Sequence, residues 1–61
     1  MYLAQYTYSR PDKTANAGKI AETVIRIINA DSLQYAQTKL IEYHDSKGET
    51  IEGIPKFTEG I

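Results

Sequence analysis

The sequence predicts an α+β fold: a small three-stranded antiparallel or mixed sheet with one helix on one face, in the order β-β-α-β. Three observations predict it. Tyr2 to Ser9 alternates by residue type, Thr23-Val24-Ile25-Arg26-Ile27-Ile28 is dense in β-branched residues, and apolar residues after Ser32 recur at spacings of three and four. With 61 residues the chain forms a single domain, 1–61. A domain of this size buries only about 60% of the surface its unfolded chain exposes.

The first strand spans Tyr2 to Ser9, with Tyr2, Ala4, Tyr6 and Tyr8 on one face and Leu3, Gln5, Thr7 and Ser9 on the other. Arg10 to Lys19 then gathers proline, glycine, asparagine and charge without apolar periodicity, as an exposed loop does. The segment from Ile20 to Asn29 has two readings, because Ile20, Val24, Ile27 and Ile28 also fit a helical stripe. Its branched side chains lose rotamer freedom in a helix and pack well on a pleat, which favours a strand from about Glu22 to Asn29.

Asp31 offers a carboxylate to the first helical amides, and Gln34 stands where a capping box places its partner, so a helix is expected from Ser32 to about Ser46. Leu33, Ala36, Leu40, and Tyr43 or His44 mark its apolar face, with Tyr35 and Ile41 at the margins. Lys47-Gly48 ends it through a left-handed glycine cap. Glu49 to Ile54 reads as a short third strand, which Pro55 halts or confines to an edge, leaving Lys56 to Ile61 as a loosely held tail.

Charges nearly cancel, with Lys+Arg 7 against Asp+Glu 8, and they alternate in sign along the chain. General nucleic-acid binding is disfavoured, since affinity for a phosphate backbone needs clustered cations. No apolar run is long enough to cross a bilayer, and no basic, apolar N-terminal segment marks secretion, so the cytoplasm is the expected compartment. Cysteine is absent and histidine occurs once, so disulfide and metal staples are not expected. Association then becomes the way to bury more apolar surface, and a homo-oligomer is expected.

No motif points to catalysis, to a metal or to a cofactor. His44-Asp45-Ser46 contains triad residue types, but sequence neighbours on a helix point in different directions; His44 reads as a helix-end histidine facing the C-terminal dipole. Glu49 and Glu52, three apart on a strand, face opposite sides and form no acid and base pair. No loop spaces acidic residues as a calcium site requires.

Binding residues are easier to nominate. One helix covers one face of a sheet, so the other face carries part of the tyrosine row or the isoleucines of strand two, and exposed apolar patches mark interaction surfaces. Tyr2, Tyr6, Tyr8 and Arg26 are the candidate partner-binding residues, tyrosine being enriched at interfaces. Tyr6 has a second reading as core beneath the helix, whereas Tyr2 and Tyr8, at the strand ends, are expected to stay partly exposed. Arg10, Lys13 and Lys19 form a candidate anion site beside Asn16-Ala17-Gly18, which lacks the full glycine pattern of a phosphate-binding loop.

The stretch Ile28-Asn29-Ala30-Asp31-Ser32-Leu33-Gln34-Tyr35-Ala36-Gln37-Thr38, with the size and the strand-then-helix order, resembles small phage-encoded proteins that bind and block host toxins or defence enzymes. The resemblance implies stoichiometric inhibition by surface occlusion, without turnover, in the host cytoplasm. No residue role is carried over from it, because the stretch holds no diagnostic motif. The expected function is therefore a non-enzymatic inhibitor or adaptor of a protein partner, acting through an exposed sheet face and edge strand. The alternative is an oligomeric sponge for a nucleotide or other phosphate ligand, and an enzyme ranks third.

Overall fold

The computed structural model describes residues 1–14, 16 and 18–60, and its elements run β1 (Tyr2–Pro11), β2 (Lys19–Ile28), α1 (Leu33–Asp45) and β3 (Thr50–Glu59). This is the expected β-β-α-β order. The sheet order is β2-β1-β3, and the central β1 is antiparallel to both neighbours.

Residues 20 to 28 are extended, and they pair with β1 from Tyr2↔Ile28 to Arg10↔Ile20 without a register shift. Both strands outrun expectation toward their shared turn. Arg10, Pro11 and Lys19, read from sequence as loop, are strand; of the remaining loop, Ala15 and Ala17 lie outside the described residues. Proline is tolerated because Asp12 N donates to Gly18 O at 3.0 Å, which makes Asp12 and Gly18 a hydrogen-bonded pair. The adjacent Pro11↔Lys19 pair is then a non-hydrogen-bonded one, and the missing proline N–H costs the ladder nothing.

The helix is capped by Ser32, whose hydroxyl accepts from Tyr35 N at 3.1 Å, and not by Asp31 one residue earlier. Ala36 N donates to Ser32 O at 3.0 Å, so the first intrahelical bond fixes Ser32 as the cap. At the far end Gly48 takes a positive φ of 73°, as the glycine reading required. Ala36, Leu40 and His44, four residues apart, are the buried row of α1.

That row lies over the even-numbered face of β1, where Tyr2, Ala4 and Tyr6 are buried. Ala4 and Ala36 are both wholly buried within this core. Tyr8, Val24, Ile51 and Phe57 pack around this core, and Ile28 and Ala30 complete it.

β3 continues well past Pro55. Lys56 to Glu59 pair with Gln5 to Tyr2, so the segment read as a loose tail is the second half of a strand. Between Thr7↔Glu52 and Gln5↔Lys56, Tyr6 alone faces Gly53-Ile54-Pro55, a bulge that Gly53 enters at φ 71°. Gly60 N donates to Met1 O, which sets the alternation so that Lys56 bonds to β1 and the Pro55 nitrogen faces away from the sheet. Proline is thus accommodated at an edge.

Candidate functional site

His44 organises the interior. Its Nε2 lies 2.6 Å from the Tyr6 hydroxyl and its Nδ1 2.7 Å from Glu49 Oε1, and only 2% of the residue is exposed. Arg26 Nε donates to the same Tyr6 oxygen at 3.3 Å. An ionised carboxylate only accepts, so His44 Nδ1 carries a hydrogen toward Glu49. With a neutral ring, Nε2 accepts from Tyr6 O–H, whose oxygen takes the Arg26 N–H. With that tautomer the contacts Arg26→Tyr6→His44→Glu49 all run in one direction. They tie β2, β1, α1 and the α1–β3 connection together in one line.

Aromatic rings enclose the imidazole. Tyr8 lies against it at 4.4 Å between centroids, Tyr6 at 5.2 Å and Tyr43 at 5.0 Å, the last two edge-on. The Arg26 guanidinium and the Lys47 ammonium each sit 4.0 Å from the centre of the Tyr43 ring. Lys47 also donates to the Tyr43 hydroxyl at 2.6 Å, and that bond chiefly holds the Tyr43 phenol below its ordinary pKa. The Arg26 guanidinium is pushed further up, first by its bond to Tyr6. Among the described residues, no buried side-chain nitrogen or oxygen lacks a partner.

The candidate partner-binding residues thus fall on the covered face. Tyr2 is 7% exposed and Tyr6 4%, so the expectation of a partly exposed Tyr2 is corrected: the helix side of the sheet needs its ring as core. Tyr8 is half-buried against His44, and its hydroxyl donates to Glu22. Arg26 is half-buried between Tyr6 and Tyr43. His44, expected at the C-terminal dipole or, as the alternative to Tyr43, on the apolar face, lies on the buried face and is bonded to both Tyr6 and Glu49.

At the β1–β2 turn, Arg10 is engaged by Glu22, with Nε and a terminal nitrogen both 3.0 Å from Oε1. That pairing, with the Tyr8 bond, holds the Glu22 carboxyl below its usual range. Lys13 and Lys19 are exposed nearby, and Asp12 accepts from Thr14 in the same turn. The structure therefore brings two carboxylates to the candidate anion site along with its cations.

Two surfaces remain apolar and open. On the sheet face away from α1, Leu3 pairs with Ile27 and Gln5 with Ile25, and the two isoleucines are 63% and 62% exposed. Thr7 and Thr23 share a 2.8 Å hydroxyl contact on the same face. Sequence patterning offered these isoleucines as one of two candidates for the open face, and they are the ones placed there. The second surface, unforeseen, is a groove of about 480 Å³ between α1 and β3, lined by Leu40, Ile41, Ile51, Ile54, Pro55 and Phe57 among others.

Fold and site together define a small single-helix α+β sheet protein with a buried His44–Tyr6 contact and an uncovered sheet face. Compared with protein families, curated proteins and solved structures, the chain matches none. Among the described residues, no helix is long and apolar enough to cross a membrane, and no three His, Cys, Asp or Glu side chains cluster as metal ligands would.

Proposed function

We infer that the protein works as a non-enzymatic binding module, a stoichiometric inhibitor or adaptor that engages a protein partner through the open face of its sheet. The observation that carries this reading is the pair Ile25 and Ile27, each more than three-fifths exposed on a flat pleated surface beside Leu3. Fully burying a large β-branched side chain is worth about 1.5–3 kcal/mol, and covering the exposed part of each isoleucine contributes a share of that to docking. Burial of the His44–Tyr6 pair supports a holding role for those two residues, because a substrate has little access to atoms engaged with one another beneath α1.

A double substitution, Ile25→Lys with Ile27→Lys, tests the reading. Both positions face solvent, so the variant is expected to keep its melting temperature within a few degrees. It is also expected to lose any protein that the unaltered chain retains stoichiometrically from lysate of its own source cell. Equal recovery of the same partner by both proteins would show that the open face is not the docking surface.

A further inference from the structure

β2 is the edge of the sheet that carries no proline or bulge, its charged residues being Lys19, Glu22 and Arg26. β3, the other edge, carries the Gly53–Pro55 bulge, and a proline and a bulge are two of the devices by which edges avoid pairing. β2 runs for ten residues with neither. Because Asp12 and Gly18 form a hydrogen-bonded pair, the even-numbered residues of β2 bond to β1, and Ala21, Thr23, Ile25 and Ile27 turn their N–H and C=O groups outward. This row is a template for another strand.

We propose that the occupant is a second copy of the chain, paired antiparallel along β2 about a twofold axis at Val24, so that two three-stranded sheets become one. Charge complementarity selects this register. With the axis at Val24, Glu22 of each copy faces Arg26 of the other, Ile20 faces Ile28, and Val24 faces itself. The outward-facing residues then meet one another, Ala21 opposite Ile27 and Thr23 opposite Ile25, as an antiparallel ladder requires. Moving the axis to Thr23 sets Glu22 against Val24 and Arg26 against Ile20. Moving it to Ile25 sets Glu22 against Ile28 and Arg26 against Val24. Either shift leaves both charges without a partner across the interface.

Both groups have capacity for the added contact. Glu22 receives Arg10 and Tyr8 but remains 39% exposed in its side chain, and a carboxylate accepts at about four positions. Arg26 donates through Nε to Tyr6 and also hydrogen-bonds Tyr43, and a guanidinium has five N–H donors, so others remain for the second copy's carboxylate. The pairing also joins the two open faces, so that Leu3, Ile25 and Ile27 of both copies form one apolar surface.

The chain has no cysteine, so single-cysteine variants read the register directly. Facing residues in an antiparallel pair have Cβ atoms about 4.5–5.5 Å apart, close to what a disulfide spans. Under oxidation, Val24→Cys is expected to run as a covalent dimer on a non-reducing gel, and Thr23→Cys and Ile25→Cys as monomers. Sedimentation equilibrium of the unaltered protein is expected to give twice the chain mass. A chain mass that stays monomeric up to millimolar concentration, or cross-linking at 23 or 25 in preference to 24, overturns the proposal. Neither outcome touches the open-face reading, which the lysine variants test separately.

Discussion

Replacing His44 by alanine is expected to remove a large part of the protein's stability. The substitution takes the imidazole partner from the part-buried Glu49 carboxylate and from the buried Tyr6 hydroxyl, which keeps only Arg26, and opens a cavity where the imidazole met three tyrosine rings. Each buried polar group left without a partner costs about 1–3 kcal/mol, and more when it is charged. A total of about 4 kcal/mol is comparable with the whole stability of a chain this short, at about 0.05–0.15 kcal/mol per residue. Tyr6→Phe, which removes one hydroxyl and keeps the ring, is expected to cost only about 1–2 kcal/mol. Urea unfolding followed by circular dichroism measures both. Equal and small losses for the two variants would show that the polar line contributes little.

Leu40→Ala is expected to be nearly as damaging, at about 3 kcal/mol. Leu40 is 1% exposed and is one of the two largest fully buried side chains, so its truncation removes the packing between α1 and the sheet. The cost falls within the usual range of about 2–5 kcal/mol for such a change, and not at its top, because one wall of the site borders the open α1–β3 groove, where neighbours can relax inward. Ile41→Ala, one residue on and 58% exposed, is expected to change stability by less than about 0.5 kcal/mol. The same unfolding measurement separates the two.

The elements were legible in the sequence because each has a local cause. Alternation in Tyr2 to Ser9 and branched residues in Thr23 to Ile28 give strands, and the recurrence of Ala36, Leu40 and His44 gives the helix. The length of β3 was not legible, because the rule that proline ends a ladder holds only where the nitrogen faces a neighbour. Nothing local reveals that Pro55 faces outward from an edge. The role of His44 was hidden for a similar reason. Its partner Tyr6 is 38 residues away, a contact that exists only once β1 lies beneath α1. Its place on the buried row was legible as one of two alternatives, since His44 stands four residues after Leu40; its polar partners were not. The same omission displaced the tyrosines. Tyr2, expected to be partly exposed, and Tyr6, for which interface and core are both open readings, are the floor on which that row rests, and this leaves the isoleucines of β2 facing outward.

Residue-resolved amide hydrogen exchange tests most directly whether the sheet is finished on one side only and needs another molecule at its β2 edge. In dilute solution the amides of Glu22, Val24 and Arg26 are expected to be protected, and those of Thr23, Ile25 and Ile27 to exchange freely. Raising the protein concentration is expected to slow the second set alone. Free exchange of Thr23, Ile25 and Ile27 at every concentration, or their full protection in a solitary chain, would contradict the account.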